Sequence, residues 1–397
     1  MTNLNLVNTN GDIGERERNS RAILAEIMFR GPVARTVIAK RIGLTAATVS
    51  RISRELIDAG IIEEGEAEED PSRRGRRFVG LKVRPKGCFV AGISINAFRQ
   101  DVVLADMTNA VLASHRMHFD DLSNPDEVIS KSVIELNKLI EKSDINRDRL
   151  IACGFIIAGA VDPVKGILRS SPALGWGTVN VDKIVRKNLN IPIFLESIAN
   201  SKNLTAHSFG STQGEDNVLL FNASLAIGCS ILLDGRLIRG SKANAGLIEN
   251  MQVWDKDAAE YKSIDQVAGG ISIINSEDGS VSQSSDKHAR QLSEIINAGN
   301  DVEEEIIKRL KRAGGALAYV ISVSHALLHS DIVLVSGPLI ESEIYCDAVR
   351  ERLKSLINPE FIHETLRFHT MQDFEAAKSL AIYQALMQCK ISQNMNK

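Results

Sequence analysis

The chain has 397 residues and a mass of 43.4 kDa, with 44% hydrophobic and 24% charged residues, 9 prolines and a formal net charge of −3. At roughly 100–200 residues per domain this is two or three folded domains, and the composition excludes a disordered tail protein, a collagen-like chain and a lone binding module. The longest apolar stretch, residues 151–161, falls short of the roughly 20 that cross a bilayer, and the first 20 residues carry no apolar block behind a basic one. Neither a membrane span nor a secretion signal is expected, and a cytoplasmic location follows. Cys88, Cys153, Cys229, Cys346 and Cys389 show no ligand spacing and are odd in number, which argues against a disulfide framework or a thiolate metal site. The near-neutral total hides an asymmetry: the first 85 residues carry 15 Lys and Arg against 12 Asp and Glu, and the rest is net acidic.

In chain order, residues 20–29 place Ile23, Leu24 and Ile27 on one helical face before the stop Gly31-Pro32. A second helix is predicted over 35–42, ending at Gly43, and a third opens after the N-cap Thr45 with Val49, Ile52, Leu56 and Ile57 as its buried stripe. Gly60 closes it, and residues 61–62 with 77–83 read as a hairpin whose tip, 70–76, is polar and basic. This is the pattern of a winged helix-turn-helix. Strands are then predicted over 89–95, 101–105, 111–118 and 150–157, with a helix over 125–141, a strand over 191–195 and a helix from Ser197. A second cycle has strands over 217–222, 226–233 and 332–335 and helices over 282–297, 301–328, 342–356 and 371–387. Two such cycles imply two similar lobes with a cleft between them. The helices over 301–328 and 371–387 suit a lobe core as readily as an interface between copies.

A recognition helix needs short polar and basic side chains in its first turns, where base edges and phosphates are reached, and an apolar rear. Thr45, Thr48, Ser50, Arg51 and Arg54 supply that set, with Ala46 and Ala47 permitting close approach. The wing tip carries Arg73, Arg74, Arg76 and Arg77 around Gly75, a clamp for phosphates or the minor groove. The blander reading, an interaction module with a solvated basic turn, does not account for both features together. The acidic run 63–70 beside the wing reads as a solvated strand edge.

Further motifs carry a resemblance. Pro172-Ala173-Leu174-Gly175-Trp176, the segment 191–200 ending Glu196-Ser197-Ile198-Ala199-Asn200, the hairpin 233–240, Ser336-Gly337-Pro338 and Glu375-Ala376-Ala377 follow the order and spacing of the ROK family of repressors and sugar kinases, and the whole resembles its transcription regulators. The resemblance implies an α/β fold: an N-terminal winged helix-turn-helix, 1–86, followed by a two-lobed actin-like (ribonuclease H-like) body. The first lobe would span 87–205, joined by the C-terminal helix 371–397, and the second 206–370. Departures from the family pattern point away from catalysis. The kinases' general base, an aspartate, is Ile198 here, and the preceding asparagine is Ser197. The first phosphate loop is Ser94-Ile95-Asn96-Ala97-Phe98, without its glycines, and the second retains only Gly228 after Ser224-Leu225-Ala226-Ile227. In Gly246-Leu247-Ile248-Glu249-Asn250 the family's sugar-binding glutamate becomes Leu247 and its zinc-binding histidine Asn250, and no cysteine motif follows over 253–270.

No catalytic residue, metal or cofactor is therefore expected. The resemblance leaves Trp176, Ser197, Asn200, Glu249 and Asn250 in the cleft for a sugar, polyol or related metabolite, with no arginine cluster for a phosphorylated one. The function expected is a DNA-binding transcription regulator, a repressor acting as a homodimer or homotetramer on double-stranded operator DNA. The alternatives are a sugar kinase with an appended head and a regulator controlled by a protein partner.

Overall fold

The computed structural model describes residues 14–66, 79–255, 257–274 and 285–388. The head comprises α1 (Glu15–Arg30), β1 (Val33–Ala34), α2 (Arg35–Ile42), α3 (Ala46–Asp58), β2 (Ile62–Glu66) and β3 (Val79–Val83), the strands pairing in the order β1-β3-β2. Helix α1 begins five residues before the predicted start: Glu15 and Glu17 in its first turn favour the positive end of the helix dipole and extend it beyond the apolar stripe.

The first sheet of the body is built from β4 (Phe89–Ile95), β5 (Gln100–Asp106) and β6 (Val111–Met117), a meander of short turns. Helix α4 (Pro125–Lys142) then crosses to β7 (Leu150–Ile157). A three-stranded appendage, β8 (Ala160–Asp162), β9 (Ile167–Ser170) and β10 (Val179–Asn180), and the short α5 (Val181–Val185) precede β11 (Ile193–Ser197) and α6 (Ile198–Phe209). The second sheet starts with β12 (Val218–Ala223), β13 (Ile227–Leu233) and β14 (Arg236–Leu237). A hairpin of β15 (Gln252–Asp255) and β16 (Glu260–Ser263) and helices α7 (Ile264–Ala268), α8 (Gly270–Ile274), α9 (Ser285–Ala298) and α10 (Glu304–Leu328) lead to β17 (Ile332–Ser336). Helices α11 (Glu343–Lys354) and α12 (Pro359–Thr365), then β18 (Leu366–Phe368) and α13 (Asp373–Gln388), complete the chain.

The two sheets repeat one topology. Their orders, β6-β5-β4-β7-β11 and β14-β13-β12-β17-β18, each join an antiparallel meander to two parallel strands. Strands β4 and β7 are buried throughout, which explains why they read as unbroken apolar runs rather than alternating ones. The appendage β8–β10 and the hairpin β15–β16 were not predicted, their strands being too short or too polar to show a period.

Helices α6 and α13 lie between the sheets. Ile198, Ala199, Leu204, Ala206, Ala376, Ala377 and Leu380 share a core with Val218, Leu220 and Leu334 of the second sheet. Another core joins head to body: Ile23, Leu24 and Ile27 of α1 and Val49, Ile52 and Leu56 of α3 belong to one cluster with Cys88, Val90, Ile151, Ala381, Ile382, Ala385 and Leu386. No helix among the described residues is long and apolar enough to cross a membrane.

Candidate functional site

Helix α3 is presented to solvent by its own turn chemistry. Gly43, at φ 70°, makes the left-handed step that ends α2. Thr45 then caps α3, its Oγ1 accepting the N–H of Thr48 at 3.1 Å. Val49, Ile52 and Leu56 are buried behind the helix, each side chain contributing roughly 1.5–3 kcal/mol. Thr45, Ala46, Ala47, Ser50, Arg51 and Arg54 are left exposed and Thr48 half-buried. The exposed face thus carries the positive end of the helix, small residues and two guanidinium groups, the combination that approaches a phosphate backbone.

Arg51 has a partner one turn on, at the i,i+4 spacing that the sequence carries. Arg51 Nη1 lies 3.2 Å from Glu55 Oε1, whose other oxygen receives Arg16 at 2.9 Å. Exposed pairs of this kind are worth about 0–1 kcal/mol, so a phosphate can replace Glu55 at little cost. Of the acidic run, Glu64 pairs with Arg35 of α2 at 2.7 Å and Glu63 with Lys82 across β2 and β3 at 3.1 Å, solvent-exposed pairs worth as little. Arg73, Arg74, Arg76 and Arg77 lie outside the described residues.

A cavity of about 380 Å³ opens between the two lobes. Ser197, Ile198, Asn200 and Glu249 line it, as do Asn96, Arg99, Arg116, Glu196, Lys202, Asn222, Asp265 and Asp373. Ser197 caps α6 through the N–H of Asn200 at 3.3 Å. Glu196 is buried and fully engaged. Its Oε1 accepts Ser197 N–H and Asn200 Nδ2, each at 2.9 Å, and its Oε2 accepts Arg239 Nη2 at 2.8 Å. Asn200 keeps its Oδ1 buried with no hydrogen-bond partner among the described residues. Asn96 closes its own loop by accepting Phe98 and Arg99 N–H at 2.6 and 2.7 Å. Asp265 accepts Ile227 N–H at 2.7 Å, yet burial pushes its carboxyl up to about 7, with nearby Glu249 adding to the rise.

Two expectations fail. Trp176 does not face the cleft: it is 4% exposed, its Nε1 donates to Leu122 C=O at 2.6 Å, and its bridge to Ser171 turns the indole into the first lobe's core. Asn250 is exposed and outside the cavity, because the turn closed by Met251 N–H on Ile248 C=O at 2.8 Å sends Glu249 to the cleft wall and Asn250 to solvent. The sequence also missed two cleft arginines. Arg99 and Arg116 line the cavity, and both flank buried Asp101, Arg99 Nε at 2.7 Å and Arg116 Nε at 3.9 Å. No cluster of three or more His, Cys, Asp or Glu side chains able to hold a metal occurs among the described residues. In the stretch that lacks the family's cysteine motif lies the β15–β16 hairpin, with Trp254 edge-on to Tyr261 and buried Asp255 bound by Arg312 at 2.7 Å.

Comparison with known proteins speaks to family and fold. The winged helix-turn-helix DNA-binding profile matches residues 16–63 and the ROK family profile residues 90–381. The DNA-binding transcriptional dual regulator NagC of Escherichia coli strain K12 is 22% identical over 343 residues, covering 83% of this chain and 82% of that protein. The xylose repressor of Bacillus subtilis strain 168 is 24% identical over 237 residues, covering 59% of this chain and 60% of that one. Among solved structures, a ROK family transcriptional regulator described as a homologue of E. coli MLC superposes with a TM-score of 0.75 at 21% identity, over 96% of this chain and 98% of that one. A ROK family glucokinase from Streptomyces griseus, in complex with glucose and AMPPNP, superposes on the body with a TM-score of 0.59 at 18% identity, over 74% of this chain and 99% of that one. With three-quarters of its length matching one family profile behind a winged helix-turn-helix, this chain belongs to the ROK family.

Proposed function

We infer that the chain is a sequence-specific DNA-binding transcription regulator, a repressor whose hold on double-stranded operator DNA is modulated by a carbohydrate-like effector in the inter-lobe cleft. The carrying observation is α3 itself: its rear is sealed in the core and its exposed face holds Thr45, Ser50, Arg51 and Arg54, with Thr48 at the edge. Similarity to a transcriptional dual regulator and to a xylose repressor supports the reading. Two or four copies would set two heads on two half-sites, and a ligand preferring one lobe arrangement would change their spacing.

Against phosphoryl transfer stand particular residues. Ile198, at the cleft wall, has no atom that takes a proton, and the first loop is closed by Asn96 rather than opened by glycines. Lys202 already pairs with Asp373 at 2.9 Å between the two loops. The residues do not fit a nucleotide's phosphates and their metal. The unpartnered Asn200 Oδ1 and the carboxyl groups of Glu249 and Asp265 suit a ligand's hydroxyl groups.

The test is a thermal-shift panel of sugars, polyols, sugar phosphates and ATP, followed by release of a duplex selected from a random library. A ligand that prefers the folded state raises the melting temperature by mass action. A sugar or polyol that raises it and releases the duplex, with ATP silent, is the expected result. ATP-dependent phosphorylation of a sugar by the pure protein overturns the reading.

A further inference from the structure

Helix α13 has its two halves in two different cores. Ala376, Ala377 and Leu380 lie in the core between the lobes, whereas Ala381, Ile382, Ala385 and Leu386 lie in the core shared with the head. Its first residue, Asp373, lines the cleft, and near its other end the Met387 carbonyl accepts Arg21 of α1. The helix spans 16 residues, about 24 Å at 1.5 Å per residue, and so reaches from the cavity wall at Asp373 to α1 of the head.

Between these ends the helix rests on a bare spot of the first sheet. Gly92 and Gly154 are register partners on β4 and β7, and a Cβ added to either would meet the helix: at 2.9 Å from Ala377 Cβ for Gly92, and at 2.2 Å from the Ala377 carbonyl oxygen for Gly154. The same two positions would also meet Lys378 N at 2.9 Å and Ala381 N at 3.0 Å, so the seat runs from Ala377 to Ala381, leaves no room for the middle of the helix to move sideways and makes that turn a pivot. The two arms beyond the seat are of similar length, so a tilt at Asp373 is matched by a similar opposite displacement at Leu386. Buried Lys378, next along, donates to the Asn109 carbonyl at 2.9 Å. That turn also holds the linker from the wing, through Lys86 N–H on Asp106 Oδ2 at 3.0 Å.

The cleft end is held by one buried cation. Lys202 Nζ lies 2.9 Å from Asp373 Oδ1 and donates to Asn222 Oδ1 at 3.0 Å, so it ties α13 to β12 of the second lobe. Asp373 Oδ2 accepts Asn96 of the first lobe. A ligand that separates the lobes, or takes Lys202 from Asp373, acts directly on the end of the helix.

We propose that α13 is a lever pivoting on Gly92 and Gly154, and that the Lys202–Asp373–Asn222 contact is the latch through which cleft occupancy sets the position of the DNA-binding head. This rests on the regulator reading above and names the regulation of that cleft. The latched arrangement is the one that grips DNA.

The test uses the full chain and hydrogen exchange, with no DNA and no effector. In Lys202→Met, amides of the last two turns of α13 and of residues 21–29 exchange about tenfold faster or more, while those of α4 and α10 keep the parent's rates. Asp373→Asn produces the same pattern, and the double variant adds little to either single one. If Lys202→Met does not fold, Asn222→Ala, which removes only the lysine's second-lobe acceptor, takes its place. Unchanged head exchange, or equal acceleration everywhere, overturns the lever. A selected duplex bound about tenfold more weakly by the variant confirms the latched state as the gripping one, and unchanged affinity overturns that assignment. A parent that binds no duplex, with the exchange pattern as described, would sink the regulator reading and leave the lever standing.

Discussion

Asp265 is where the cleft responds to pH. Burial holds its carboxyl at about 7 rather than the usual 3.8, opposed by the Ile227 N–H and assisted by Glu249. Between those values the folded chain keeps a proton that the unfolded chain has released, so this group makes stability fall as pH rises from about 4 to about 7 and adds no slope above. Asp265→Asn stays neutral and can still accept Ile227 N–H. Its stability should therefore gain on the parent's across that window, by at most about 4 kcal/mol at the alkaline end, and parallel pH profiles of stability for the two proteins would show the carboxyl to be ordinary. Thr45→Ala removes the cap of α3 at a cost of about 1 kcal/mol, read by denaturant unfolding, and should weaken duplex binding beyond that loss, because the helix end proposed to meet phosphate is loosened. At this scale the sequence located neighbourhoods but not directions. Ser197, Asn200 and Glu249 line the cleft as motif position implied, whereas Trp176 and Asn250 turn away because a bridge and a turn, invisible to spacing, aim them.

Among the elements, those whose stabilisation is local or continuous were legible. The apolar runs of β4 and β7 and the Gly43 stop after α2 gave their bounds directly, since burial on both faces and a left-handed glycine each leave a mark in composition. The seat of α13 left none, because Gly154 and Ala377 meet from distant parts of the chain. Gly154→Ala should destabilise the protein by about 1–3 kcal/mol through overpacking, while Gly177→Ala, with nothing within 4 Å of the new Cβ, should be close to neutral. Denaturant midpoints at constant slope decide this, and equal midpoints for the two variants would contradict the close seat.

Taken whole, the molecule is a winged helix-turn-helix head fused by a shared core to two lobes of repeated topology. The winged head and the two α/β cycles were readable from periodicity and turn signals. The fusion was not, because Ala381 and Leu386 reach the head only after the whole body has folded back. That fusion makes the head one body with the cleft's own helix, so the account depends first on the head's binding duplex DNA through α3 and the wing. The most direct measurement is the salt dependence of full-chain binding to a selected duplex, for the parent, for Arg51→Ala, and for the variant with Arg73, Arg74, Arg76 and Arg77 changed to Ala. Log affinity should fall linearly with log salt for the parent, with a slope shallower by about one for Arg51→Ala and shallower still for the wing variant. Parent and variants binding alike, with one slope, would contradict it.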